Sequence, residues 1–476
     1  MRARHLFLAT FFTVSFSFAA SSLIAEDCTA TVAHKTPPNV IFIMADDLGY
    51  GDLGCYGQTQ LRTPHIDRMA AEGMKFTDFY AGSTVCAPSR CVLMMGQHLG
   101  HTFIRGNGKD NLKPEHFTVG ELMKQAGYTT GLFGKWGIGH FGSEGVPNKQ
   151  GFDEFYGYLD QHHAHNYYPT FLVHNEKRVK LRNVVPNAGE YGQGVASKKV
   201  DYSADLIGDQ LHNFLDNNHE KPFFIYYAMT LPHANNEGRG DGLETIPEDL
   251  AVYKDKDWPE RHKQFAAMVS RTDAEVGRII KKLKQYGIAD NTLVIFTSDN
   301  GPHAEGGHKA EIFDSNGPLR GTKRDLYEGG IRVPTIAWWP GTIEAGAVTD
   351  HVGYFGDLMM TCADLTDVEP DTDQEFDSIS FLPTLLGENS QQQDHEYLYW
   401  EFYEGKNAQG VRMGPWKGIV KPFGSDNFEL YNIEDDLAEE HEISAKHPKI
   451  VQRLKAAIEE AHVPNPRWQL PKSKKK

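Results

Sequence analysis

Unbroken apolar runs, rather than alternation, mark the strands of this chain. Asn39-Val40-Ile41-Phe42-Ile43-Met44-Ala45, Pro222 to Met229 and Thr292 to Thr297 are apolar on both faces, the pattern of parallel strands covered by helices on either side. A shorter run, Thr129 to Phe133, follows a helix predicted over Val119 to Ala126. Between the strands the period changes to helical. Phe265, Met268, Val269, Val276, Ile279, Ile280 and Leu283 predict a long helix from about Glu260 to Gln285, and Tyr202 to Leu215 reads as a second amphipathic helix. Thr63-Pro64 opens another, broken at Gly73. Strands alternating with helices predict an α/β fold, a mostly parallel central sheet with helices on both faces.

Near Leu385 the pattern changes. Glu396 to Phe402 alternates like an antiparallel strand, Gly410 to Val420 and Glu429 to Tyr431 suggest further strands, and His447 to His462 a closing helix. The expected organisation is a main domain over 37–385, a small C-terminal α+β subdomain with an antiparallel sheet over 386–464, and a disordered tail over 465–476. At the other end Arg2, Arg4 and His5 precede an apolar run from Leu6 to Ala20 and small residues to Ala25. That is a signal-peptide pattern over 1–25, so export to the periplasm or the exterior is expected. The run is short for a membrane span and holds Thr13, Ser15 and Ser17, and no later stretch suits one, so no stable membrane insertion is expected.

Composition narrows the partners. Against 48 Lys+Arg stand 64 Asp+Glu, a net charge of −16, which argues against a nucleic-acid partner but not against a small anion gripped by a few local cations. The five cysteines, Cys28, Cys55, Cys86, Cys91 and Cys362, are an odd number for an oxidising compartment and suggest one special thiol. The other four could form bridges or stay buried as small hydrophobes, and their spacing names no pairing.

Candidate chemistry gathers at predicted strand ends and in one loop. Thr84-Val85-Cys86-Ala87-Pro88-Ser89-Arg90-Cys91 reads as a loop entering a helix at Pro88, which places Cys86 just outside the positive helix end, with the Arg90 fork about a turn further on. Asp46-Asp47 follows one buried strand and Asp299-Asn300 another, where open α/β sheets place ligands. Four hard oxygen donors suit Ca²⁺ or Mg²⁺ rather than zinc. Lys135 between glycines, His233 after a strand, Arg90 and Lys323 are cations suited to a tetrahedral anion. Gln161 to Pro169, with His162, His163 and His165, reads as a substrate-facing loop, and His303 lies beside the metal candidates. Each feature alone is commonplace, but together at strand ends they are not.

These blocks resemble a known family. Cys86-Ala87-Pro88-Ser89-Arg90 matches the C-x-P-S-R signature of the formylglycine-dependent (type I) sulfatases of the alkaline-phosphatase-like superfamily, and Gly134-Lys135-Trp136 their second signature. Asp46 to Gly49, Ser298 to Gly301 and Tyr327 to Gly330 follow the family's order. The resemblance implies a secreted sulfatase, a sulfuric ester hydrolase acting on a small-molecule or oligosaccharide sulfate ester. It implies that a maturation enzyme oxidises Cys86 to formylglycine, whose hydrate attacks sulfur, a two-step covalent route. Asp46, Asp47, Asp299, Asn300 and modified Cys86 would hold the metal, Ca²⁺ in the usual case. Arg90 would stabilise the diol, Lys135 and Lys323 would bind sulfate, and His233 would protonate the leaving alcohol. His303, His163 and His165 are the candidates for substrate contact.

One departure stands out. Many relatives carry histidine two residues after the signature lysine, whereas this chain has Gly137. His140, His98 or His101 is the expected substitute as base for the second hydroxyl. Two other readings compete: a phosphodiesterase or phosphonate hydrolase of the same superfamily, and a non-catalytic relative that binds sulfated glycans.

Overall fold

The computed structural model describes residues 37–405 and 407–469. The signal peptide expected over 1–25, Cys28 and the lysines from Lys472 to Lys476 lie outside the described residues. Five neighbouring parallel strands run, in spatial order, Glu154–Tyr158, Thr129–Lys135, Phe223–Ala228, Asn39–Ala45 and Thr292–Ser298. Their register sets Ala45 opposite Ser298, Met44 opposite Ala228, and Lys135 opposite Tyr158. The carboxyl ends therefore finish side by side along one edge of the sheet.

The unbroken apolar runs have a direct cause. In Asn39–Ala45 the residues Val40, Phe42 and Met44 enter one core cluster, while Ile41, Ile43 and Ala45 enter the cluster on the opposite face. Cys86–Met95, Val119–Gln125 and Leu358–Thr366 cover the first face; Pro64–Glu72, Ser203–Asn218 and Glu260–Tyr286 cover the second. Both margins of the ten-stranded sheet contain antiparallel pairings, although the outermost pair on one side, Ala347–Thr349 with Met74–Phe76, is parallel. Phe171–His174 and Lys177–Lys180 extend one side, and Thr335–Trp338 and Met74–Phe76, followed by Ala347–Thr349, extend the other.

Glu154–Tyr158 is a strand that no apolar run in the sequence announces. The strand is short and interrupted by Gly157, which hides the apolar run. Glycine is needed next door: a Cβ on Gly134 would lie 1.8 Å from the Ala228 carbonyl oxygen, and the residue sits at φ +113°.

The second sheet is antiparallel and takes its strands in sequence order, Leu398–Phe402, Ala408–Met413, Trp416–Val420 and Phe428–Asn432. Helix Pro448–Ala461 covers it through Leu454, Ala457, Ile458 and Ala461. A buried network joins this sheet to the rest: Lys417 Nζ donates to Glu328 Oε1 at 2.7 Å, and Arg332 and Arg412 each reach Asp78 at 2.8 Å. Tyr80 donates its hydroxyl to Glu328 at 2.6 Å. Trp468 lies against Tyr403 with ring centres 5.5 Å apart and tilted by 53°, and it donates its indole N–H to the Phe103 carbonyl at 3.1 Å. Cys55, Cys86, Cys91 and Cys362 are free thiols. No helix among the described residues is long and apolar enough to cross a membrane.

Candidate active site

Parallel strand ends deliver most of the site. Asp46-Asp47 continues Asn39–Ala45, Asp299-Asn300 continues Thr292–Ser298, Lys135 closes Thr129–Lys135, and His233 follows Phe223–Ala228. Beneath them lies helix Cys86–Met95, buried at all of its residues. It begins at Cys86 itself, not at Pro88 as the sequence suggests. Proline's missing N–H is harmless throughout the first helical turn, whose N–H groups have no partner within the helix. Asn107 Oδ1 accepts the Ala87 N–H at 3.2 Å and so supplies a partner there.

Around Cys86 the groups interlock. Cys86 Sγ donates to Asp46 Oδ1 at 3.4 Å. Lys135 Nζ donates to Asp46 Oδ2 and Lys323 Nζ to Asp47 Oδ2, both at 2.7 Å. Arg90 gives one amine to Asp299 Oδ2 at 2.9 Å and the other to the Lys135 carbonyl at 2.6 Å. Ser89 Oγ donates to the Asp299 carbonyl at 2.6 Å, tying the helix start to that strand end. Asn300 Nδ2 donates to Asp47 Oδ1 at 2.7 Å, while its Oδ1 is buried without a hydrogen-bond partner. Asp47 adopts φ +67°, a conformation uncommon for a residue with a side chain.

Burial opposes every charge here, and the neighbours decide which survive. At Asp46, Lys135, His233, Arg90 and Lys323 outweigh burial and hold the carboxyl well below its usual range. Asp299 behaves oppositely: burial, reinforced by Asp46, pushes it up to about 7. Burial, then Asp299 and Asp46, raises the Cys86 thiol well above its ordinary value, so the unmodified side chain is a neutral S–H. Burial and then Lys323 push His233 down to about 3. Its Nδ1 lies 2.6 Å from the Ala234 carbonyl, which only accepts, so Nδ1 carries the hydrogen. The Nε2 lone pair then faces Lys323 Nζ at 3.2 Å.

The structure thus brings together Cys86, Arg90, Lys135, His233, Lys323, Asp46, Asp47, Asp299 and Asn300. Ligand atoms of Asp46, Asp47, Cys86 and His233 all lie within 4.8 Å of one another, and those of Asp47, His303 and Glu305 do likewise. His165 stacks on His233 with ring centres 4.9 Å apart at 12°. His163 is placed elsewhere, edge-on to Tyr158 at 4.9 Å and against Phe171 at 4.4 Å, with burial lowering it to about 4. His140 pairs with Asp160 at 3.1 Å, and His98 and His101 face Asp377, so their partners lie outside the Cys86 group. At Gly137 a Cβ would meet only Arg90 Cδ, at 3.6 Å, which leaves that spot open; φ is +79°.

Sequence reasoning passes over Glu305, which sits 3.5 Å from Lys323 Nζ and 3.9 Å from His233 Nε2. Its position five residues past Asn300 was the available signal. Asn107 has no signal, because it reaches Ala87 from a loop of polar residues.

Comparison with known proteins agrees with this geometry. The "Sulfatase" family model matches residues 38–368, and the model "N-sulphoglucosamine sulphohydrolase, C-terminal" matches 321–463. Mouse N-acetylgalactosamine-6-sulfatase is 32% identical over 403 residues, covering 80% of this chain and 71% of that protein. Human arylsulfatase A is 32% identical over 421 residues, covering 83% and 77%. The crystal structure of Ps i-CgsB in complex with k-i-k-neocarrahexaose superposes with TM-score 0.76 at 27% identity, covering 92% of this chain and 96% of the other. The main sheet's parallel strand ends, the Cys86 helix and the antiparallel C-terminal sheet are therefore those of a sulfuric ester hydrolase fold, and the chain belongs to the sulfatase family.

Proposed function

We propose that this protein is an exported sulfatase that hydrolyses a sulfate ester of a carbohydrate, with Cys86 as the precursor of a formylglycine nucleophile and a divalent cation beside it. One observation carries the reading. Cys86 lies among three carboxylates, a carboxamide and three cations at the carboxyl edge of the sheet, and Asn300 Oδ1 has no partner there. Hard oxygen donors and an orphaned buried acceptor fit Ca²⁺, with Mg²⁺ the alternative. Asp46, Asp47, Asp299 and Asn300 would hold it with the modified residue 86. Bound, the cation would supply Lewis-acid stabilisation of developing negative charge.

The chain's own groups account for the rest. Lys135 and Lys323 present ammonium groups to the sulfate oxygens and neutralise charge in a site from which water is excluded. Arg90 fixes the position of residue 86 relative to Asp299. Lys323 Nζ and His233 Nε2, 3.2 Å apart, hold a proton between them where the alcohol leaves, and the Nδ1–H bond to Ala234 keeps the ring turned that way. The mouse and human relatives named above act on sulfate esters, which supports the substrate class. The catalytic part is assigned to 37–385 and the C-terminal subdomain to 386–464, with export by the segment 1–25.

Co-expression with a formylglycine-generating enzyme, followed by peptide mass spectrometry, tests the nucleophile; the expected result is the formylglycine mass change at residue 86. Turnover of an aryl sulfate should exceed that of an aryl phosphate diester. The reverse preference favours a phosphodiesterase or phosphonate hydrolase, and an unmodified thiol with no turnover favours a non-catalytic relative.

A further inference from the structure

A cleft of about 570 Å³ lies between the segment after Lys323 and the antiparallel sheet, bordered by Arg324, Asp325, Tyr327, Phe402, Glu404 and Lys421. That volume is within the range of small-ligand sites, about 300–1,000 Å³. Two of its walls trace back to the reaction centre by hydrogen bonds. Arg324 gives its backbone N–H to Thr84 at 3.1 Å, two residues before Cys86. Glu404 accepts the Asn107 N–H at 3.3 Å, and Asn107 in turn holds the Ala87 N–H.

Arg324 has the unusual backbone. Its φ is +76°, where a residue with a Cβ is uncommon and strained. Lys323 before it is buried against Asp47, whereas the Arg324 side chain is 44% exposed and borders the cleft. Glu305 bridges the two, 2.6 Å from Arg324 Nη1 and 3.5 Å from Lys323 Nζ. Strain at that residue sends two adjacent cations to two different places.

Cations and anions along the cleft are matched. Arg324 is paired with Glu305 and lies 3.9 Å from Glu404, and Lys421 lies 3.1 Å from Glu429. Among the described residues no lining cation is left over for a second sulfate. Carboxylates and a guanidinium fork in a cleft also lined by Tyr327 and Phe402 suit hydroxyl groups instead.

We propose that this cleft is the subsite for the next sugar of the chain, a hydroxylated ring without sulfate at that position, joined to the sulfated unit held by Lys135 and Lys323. The proposal rests on the sulfatase reading for the position of the sulfated unit. Arg324 and Glu404 hold the ring's hydroxyls, and the enzyme prefers oligosaccharides to single sugars.

The test compares N-acetylgalactosamine 6-sulfate, free and as the terminal unit of a tetrasaccharide otherwise unsulfated. The ratio of kcat/KM, tetrasaccharide over monosaccharide, should exceed one in the wild type and fall about tenfold in Arg324→Ala and in the isosteric Glu404→Gln. A ratio unchanged within twofold, or equal losses on both substrates, overturns the subsite. If the wild type releases sulfate from neither, turnover of the aryl sulfate decides the sulfatase reading: activity there keeps it, and no sulfate release from any of the three overturns it. Calorimetric titration with the fully unsulfated tetrasaccharide then decides the subsite: wild-type binding should weaken about tenfold in Glu404→Gln, and equal affinity overturns it.

Discussion

Two buried charge clusters in this protein have nearly the same composition and different consequences. At the strand ends Asp46, Asp47 and Asp299 meet Arg90, Lys135 and Lys323; between the two sheets Asp78, Glu328 and Glu439 meet Arg332, Arg412 and Lys417. The second cluster is knit by hydrogen bonds among its own members, although Glu439 Oε1 is left without one, 3.8 Å from Lys417 Nζ. Glu328 alone takes Lys417, Arg332 and the Tyr80 hydroxyl, and Glu439 accepts the Glu328 backbone N–H at 2.7 Å. The first is left open, with Asn300 Oδ1 unpartnered, Asp299 pushed up to about 7 and Asp47 strained. Equal formal charge thus makes a staple in one place and a reaction centre in the other. What differs is the setting: the first surrounds Cys86 at the parallel strand ends, with a strained Asp47 and a free carboxamide oxygen, whereas the second ties the antiparallel sheet to the main one.

Substitutions should separate the two. Cys86→Ala, in the open cluster, is expected to lower sulfate release by at least about 10³-fold while the melting temperature stays within a few degrees, since the nucleophile is lost without a buried charge being orphaned. Lys417→Ala, in the second one, should do the opposite. Leaving Glu328 without its ammonium partner costs about 3–5 kcal/mol of stability, read by urea denaturation, with turnover per folded molecule retained. Comparable activity losses in both variants would erase the distinction.

Calcium sharpens the contrast. Titrating Ca²⁺ into chelator-treated protein should stabilise the wild type and Lys417→Ala alike, by about 2.7 kcal/mol at a free concentration 100 times Kd, and Asp47→Ala not at all. Scanning calorimetry reads the difference.

A further effect is a pH dependence. Burial, with Glu328 adding to it against the pull of Lys417, raises Glu439 from 4.5 to about 7. The folded form therefore keeps a proton that the unfolded chain releases near pH 4.5. This stabilising contribution is complete below that pH and is lost as pH climbs through about 7. Glu439→Gln should flatten the stability profile over that interval.

The sequence reveals the open cluster far better than the second one. Asp46, Asp47, Asp299 and Asn300 follow uniform apolar runs, so a one-dimensional pattern already gives them a common edge. Glu328, Arg332 and Lys417 carry no such pattern; they meet only because the antiparallel sheet docks beside Tyr80, a pairing across 89 residues for Glu328 and Lys417. The same limit hid Glu154–Tyr158, whose identity as a strand depends on its neighbour Thr129–Lys135 rather than on its own five residues. His163 illustrates a third limit. Nothing in Gln161 to Pro169 tells which histidine turns inward to Phe171 and which stacks on His233.

Cys86 is 0% exposed, on a helix with no exposed residue. The conversion proposed for it therefore cannot be carried out by another enzyme on the finished molecule. Modification and folding become competitors in time, and a chain that closes first is trapped with its thiol. The active fraction of a preparation would then record a ratio of two rates, not an affinity, and slowing the closure of the fold while the maturation enzyme is present would raise it.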